Sequence, residues 1–338
     1  MNASVGFVLV VLAGITTGTY FLGLKYVAPW KWENIWLVYA VLALLVMPCV
    51  VAFASVPHLG EVLSLSPAGA VGRVFLFGAG WGIGSVLSGL GVDRMGMAMG
   101  VSVLIGIDAA IGSFVPMAIN TPEVILQKKG LVVILSVLTL LVGVALVGVA
   151  GKKRELAQAS ARTSNQQGSF RSGLVICIFS GIFSAMMNFA LAFSQQIVQS
   201  ARDAGVSQAG ALNAVWLVTL MGGFVPTGIY TGYLLTRNKT WGNFTLPKTK
   251  TFWLVGAGMA LLWYVGVVLY GRGATDMGNL GAVIGWPLFM AVLILASSVS
   301  GFATGEWKGC GPQAKRWMGA GLFMLMLASV LLGIANQI

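Results

Sequence analysis

Apolar residues in this chain do not alternate with polar ones. They run in unbroken blocks of about 20, separated by short polar or basic stretches. A helix rises about 1.5 Å per residue, so about 20 residues cover the ~30 Å hydrocarbon core of a bilayer. Ten such blocks are read, at about residues 5–24, 34–56, 71–92, 97–118, 129–150, 171–194, 208–235, 251–271, 277–299 and 317–337. Strands of a membrane barrel would alternate in pieces of about ten residues, so the pattern predicts an all-α integral membrane protein. No basic residue precedes Lys25, so the first block lacks the charged start of a signal peptide and is expected to remain as a helix. Between blocks three and four only Asp93 to Gly96 intervenes, which predicts a tight turn with Asp93 and Arg94 as a solvated pair.

Composition agrees. Of 338 residues, 57% are hydrophobic and 9% charged, against about 25% charged in a soluble domain. The lipid bilayer is therefore the principal partner. A net charge of +11 would suggest nucleic acid, but the basic residues lie between the apolar blocks, as a membrane topology requires. Five (Arg73, Lys128, Lys129, Arg202, Arg272) fall on the side of the termini, and the other fifteen of the 20 fall opposite. The positive-inside rule places the fifteen in the cytoplasm and both termini outside.

The one long polar stretch, residues 151–172, is basic and rich in Ser and Gln, and reads as a cytoplasmic linker. It divides the chain into residues 1–150 and 173–338, with five blocks each. Weak echoes recur in the same order: Gly14 to Tyr26 with Gly181 to Phe193, Phe75 to Trp81 with Trp253 to Met259, and Met95 to Gly100 with Met277 to Gly281. An odd number of spans per copy turns the second copy upside down, which predicts two inverted five-helix repeats, a plan of secondary transporters. Gly78, Gly80, Gly82, Gly84 and Ser88 give block three small residues at spacings that permit close helix packing.

Catalytic and cofactor signals are missing from the pattern. Cys49, Cys177 and Cys310 lie far apart and His58 is the single histidine, which argues against zinc, disulfides and nucleophilic catalysis, hence against an enzyme. Neither a dinucleotide nor a P-loop spacing occurs, and no cofactor is expected. Acids inside a membrane are costly and mark function by default. Asp108 lies deepest, with no basic residue within a helical turn, and suits a proton carrier or a neutral hydrogen-bonded group. Glu33 opens block two, where it suits the helix dipole, a pairing with Lys25, or substrate. Asp276 can pair with Arg272 at i, i+4, and Glu306 is expected at the interface.

Trp30, Trp32, Trp36, Trp241, Trp307 and Trp317 fall at block ends as an aromatic belt. Trp81, Trp216, Trp263, Tyr264 and Trp286 fall inside. Such rings cover the C–H faces of a sugar while amides and hydroxyls bind its oxygens. Tyr20, Ser85, Ser88, Asn188, Asn213, Tyr264 and Asn279 are the available partners, so a polar central cavity for a small sugar is expected.

Several segments resemble the L-rhamnose/proton symporter family of the drug/metabolite transporter superfamily. They are Leu24 to Pro48, Phe75 to Gly84, Arg94 to Ile107, Ser180 to Ala190 and Gly305 to Gly309. The resemblance runs nearly end to end. It implies ten helices as inverted repeats, a bacterial inner-membrane location, and import of a 6-deoxyhexose with a proton. Lys25, Trp32, Glu33, Trp36, Trp81, Gly82, Gly84, Glu306 and Trp307 match its pattern. Asp108 departs from it, which raises Glu33 as the coupling acid, and Thr275 to Phe289 lacks the acid and tyrosines expected there. Sodium stays open as an alternative coupling ion, and an exporter of small metabolites or amino acids is the alternative function.

Overall fold

The computed structural model describes residues 2–159, 170–247 and 249–338. Among the described residues, ten helical spans are long and apolar enough to cross a membrane. They are span 1 (Ala3–Tyr26), span 2 (Trp32–Ser55), span 3 (Ala68–Met95), span 4 (Met97–Asn120), span 5 (Lys128–Ala157), span 6 (Arg171–Asp203), span 7 (Gln208–Arg237), span 8 (Lys250–Asp276), span 9 (Gly281–Ala303) and span 10 (Pro312–Gln337). The protein is a multi-pass membrane protein. Ten crossings leave both termini on one face, here called the terminal face. The opposite face, where spans 5 and 6 are joined, is called the linker face.

Most spans are longer than the apolar blocks that predict them, because helix continues into the polar flanks. Asp93 and Arg94 are still helical in span 3, and the turn into span 4 is Gly96 alone. Its φ of 85° is open to glycine and strained for other residues. The expected linker 151–172 is likewise shortened. Helix runs to Ala159 and resumes at Phe170, and the centre of that stretch lies outside the described residues.

Span 3 packs on spans 6 and 7, and span 8 packs on spans 1 and 2. Span 4 lies against spans 5 and 6, and span 9 against spans 10 and 1. Spans 5 and 10 pair with each other. Glycine sets the close approaches. A methyl at Gly78 would overlap the Thr219 carbonyl oxygen of span 7, and one at Gly82 would overlap that of Gly223. Gly80 and Gly84 instead face Met186 and Ser184 of span 6. One helix thus carries two glycine stripes, each at i, i+4, for two different neighbours.

Among the described residues, regular helix breaks in three spans. Span 1 tightens into a 3₁₀ turn over Tyr20–Tyr26, span 2 is a π-helix over Val41–Val46, and span 6 is interrupted after Ser184 and after Ala192. Pro116 and Pro287 lie inside spans 4 and 9. Each lacks an N–H and so frees the carbonyl four residues earlier. In lipid that carbonyl must find another donor.

Candidate functional site

Those two freed carbonyls lead to the polar centre. Pro116 frees Gly112 O, which accepts from Asn188 Nδ2 of span 6 at 2.7 Å. Pro287 frees Val283 O, which accepts from Ser113 Oγ of span 4 at 2.7 Å. Asn188 Nδ2 also donates to Ala282 O at 3.0 Å, and its Oδ1 accepts from Tyr270 Oη of span 8. Asn188 is fully buried. It holds two proline-broken helices and a third span together.

One turn deeper, Trp286 Nε1 donates to Asp108 Oδ1 at 3.0 Å and to Asp108 O at 3.3 Å. Gly112 makes room for this, since a methyl there would collide with the indole of Trp286. Asp108 is 4% exposed, and no cation lies within ion-pair distance of it among the described residues. Tyr270 packs edge-on to Trp286 at 5.3 Å and beside Phe289 at 5.2 Å. Trp216 is fully buried, and its Nε1, close to Gly271, finds no hydrogen-bond partner among the described residues. Spans 4, 6, 7, 8 and 9 thus meet in one buried cluster. It contains an acid, two amide or hydroxyl groups, and aromatic rings with polar edges.

A column of aromatic rings runs from mid-span toward the linker face. Trp81 stacks on Trp263 at 5.4 Å, and Trp263 meets Tyr39 edge-on at 5.8 Å. Tyr39 lies beside Tyr20 and Trp36, and Trp36 stacks on Trp32 at 4.9 Å. Tyr264 is buried behind it in span 8, and its hydroxyl is also unpartnered among the described residues.

Glu33 lies elsewhere. It is buried at the linker face, where its Oε1 accepts from Thr240 Oγ1 at 2.9 Å and Asn238 Nδ2 at 3.0 Å. Next to it, Asn34 Nδ2 donates to Thr240 O, and Asn243 Nδ2 donates to Asn34 Oδ1. The start of span 2 is thereby latched to the loop between spans 7 and 8. The pairing of Glu33 with Lys25 does not form. Lys25 Nζ instead meets Glu306 Oε1 at 2.5 Å, and Arg154 Nη1 meets Glu306 Oε2 at 2.9 Å. Arg154 also lies over the Trp307 ring at 5.1 Å. Partial burial pushes the Glu306 carboxyl up. The hydrogen bond and charge of Lys25, with Arg154 adding to them, outweigh this and hold it below the usual glutamate value. Arg272 and Asp276 pair within span 8 at 2.8 Å, as their spacing predicts.

A profile of the L-rhamnose-proton symport protein (RhaT) family matches residues 1–337. The chain belongs to that family. Proteins named L-rhamnose-proton symporter resemble it over nearly their whole length. The one from Mannheimia succiniciproducens is 27% identical over 326 residues, covering 94% of each chain. Those from Yersinia pestis and Yersinia pseudotuberculosis are 26% identical over 339 residues, covering 97% of each. This is a family of transporters, so the chain is a carrier and not an enzyme.

Within this symporter fold, the residues singled out from sequence divide into groups. Asp108, Asn188, Trp216 and Trp286 belong to the buried cluster, and Tyr20, Trp32, Trp81, Trp263 and Tyr264 to the column or its flank. Ser85 and Ser88 are half-buried in span 3, with Ser88 Oγ donating to Ser85 O. Three stand apart. Asn279 is exposed in the turn between spans 8 and 9, where the helix break carries it out of the interior. Lys25 serves the Glu306 pair. Asn213 Nδ2 donates to Ser55 Oγ near the terminal face. Tyr270, Ser113, Arg154, Asn238 and Thr240 escape a reading from sequence. Proline at i+4 of Gly112 and Val283 was the available signal for Asn188 and Ser113, since each proline calls for an outside donor.

Proposed function

We propose that this chain imports L-rhamnose, or a closely related 6-deoxyhexose, together with a proton across a bacterial inner membrane. Family membership over residues 1–337 is the observation that carries the substrate class. It favours import over export of small metabolites or amino acids. Residues 1–150 and 173–338 act as inverted five-helix repeats that rock about the buried cluster. The matched contacts of spans 3 and 8, and of spans 4 and 9, support this reading. The fifteen-to-five split of basic residues supports a cytoplasmic linker face and outside termini.

Asp108 carries the proton, and Glu33 is a structural latch. The reason is position: Asp108 sits midway along span 4 with one indole donor, whereas Glu33 lies at the linker face, where its Oε1 takes two donors from the loop between spans 7 and 8. The sugar is bound by Asn188, Tyr270, Trp216 and Trp286, with Trp81 and Trp263 offering ring faces beyond. A neutral sugar gains nothing from the membrane potential. One proton crossing 100 mV supplies about 2.3 kcal/mol, or roughly fiftyfold accumulation. The test is uptake of labelled L-rhamnose into proteoliposomes with and without an inward proton gradient. Accumulation that follows the gradient is the expected result. Equilibration alone removes proton coupling, and accumulation driven only by sodium replaces the ion.

A further inference from the structure

We infer that a pocket between spans 3, 4 and 6 at the terminal face is a separate outer docking site, which receives a neutral sugar before it reaches the buried cluster. This rests on the reading of the protein as a sugar importer with its termini outside. The pocket holds about 400 Å³ and is lined by Arg73, Phe77, Ile119, Phe193, Gln195 and Gln196. That volume lies within the range of about 300–1,000 Å³ usual for small-molecule sites.

Its chemistry suits a deoxysugar. Phe77 and Phe193 lie 5.9 Å apart, with Phe189 behind them at 5.8 Å from Phe77, so ring faces are available for a C–H face and a methyl group. Arg73 Nη2 donates to Gln196 Oε1 at 3.1 Å. A guanidinium carries five N–H donors in a fixed fork, more than Gln196 takes, and that fork matches two adjacent hydroxyl oxygens. Among the described residues no carboxylate lines the pocket, which disfavours a cation. Its placement suits an entry. Phe193 lies in the second break of span 6, Phe189 lies one turn earlier, and Asn188 of the buried cluster immediately precedes Phe189. Phe77 likewise lies one turn from Trp81 at the head of the aromatic column.

The test uses Gln196→Cys, with Cys49, Cys177 and Cys310 changed to Ser and transport checked in that background. Labelling by a membrane-impermeant maleimide is followed in proteoliposomes. L-rhamnose should slow labelling, and should still do so when Asp108→Asn is added, because the outer site does not need the coupling acid. In the otherwise native chain, Arg73→Gln should raise KM for uptake about tenfold and leave the maximal rate within about twofold. Transport without protection of Gln196→Cys overturns the docking site alone. Labelling that answers to anionic lipid content and not to sugar also overturns it, assigning Arg73 to a headgroup. Loss of both transport and protection overturns the sugar reading together with it.

Discussion

The indole N–H of Trp286 in span 9 donates to the Asp108 carboxylate in span 4 at 3.0 Å, joining the two halves of the chain deep in the bundle. Replacing Asp108 by Asn keeps the size and a hydrogen-bond acceptor but removes the proton site. Uphill uptake should fall from about fiftyfold to equilibration, while exchange of labelled for unlabelled sugar persists. Loss of exchange as well would make Asp108 a substrate ligand or a structural group.

Gly112 is the residue that lets that contact form. Gly112→Ala drives a methyl into the Trp286 indole. It should lower stability by about 1–3 kcal/mol and reduce transport at least as much as loss of the Trp286 N–H. Trp286→Phe provides that comparison, with thermal unfolding in detergent as the stability measure.

Glycines inside and outside the packed stripes of span 3 predict opposite outcomes along one helix. Gly78→Ala meets the Thr219 carbonyl and should cost about 1–3 kcal/mol. Gly72→Ala meets open space and should be neutral, or stabilising by up to about 1 kcal/mol. Equal unfolding temperatures for the two variants would contradict the packing of span 3 on span 7.

Glu33→Ala leaves the buried Thr240 hydroxyl without its acceptor. The expected cost is about 1–3 kcal/mol in stability, with gradient-driven uptake retained in the protein that folds. Abolished coupling in folded Glu33→Gln would return the proton to Glu33.

The Glu306 carboxyl is held below its ordinary value by Lys25 and Arg154. A depressed carboxyl stabilises the folded state above the ordinary glutamate value of about 4.3, and this stabilisation is lost as the pH falls through the lower folded value. The pair is more than a third exposed at Glu306, so its worth is below about 1 kcal/mol. Unfolding temperature measured from pH 7 to pH 3 should fall more steeply for the wild type than for Glu306→Gln.

How much was legible in the sequence depends on the range of the interaction. The ten spans, the Arg272–Asp276 pair and the close packing at Gly78 to Gly84 follow from hydropathy, i, i+4 spacing and small side chains. Each is a property of one helix and its solvent. Asp108 stands out for the same reason, as a charge placed where lipid penalises it.

The sequence by itself therefore determined that the chain is a ten-span membrane protein and, through its resemblance, which transporter family it belongs to. Only the tertiary structure decided which polar groups meet. Glu33 and Lys25 are eight residues apart, yet each takes a partner more than 200 positions away, Thr240 and Glu306. Tyr270 becomes part of the centre only because Asn188, freed from no local bond of its own, reaches two carbonyls on other spans and accepts from it. A buried hydrogen bond in lipid is satisfied by whichever donor the helix packing brings within 3 Å. Periodicity along the chain carries no information about that choice.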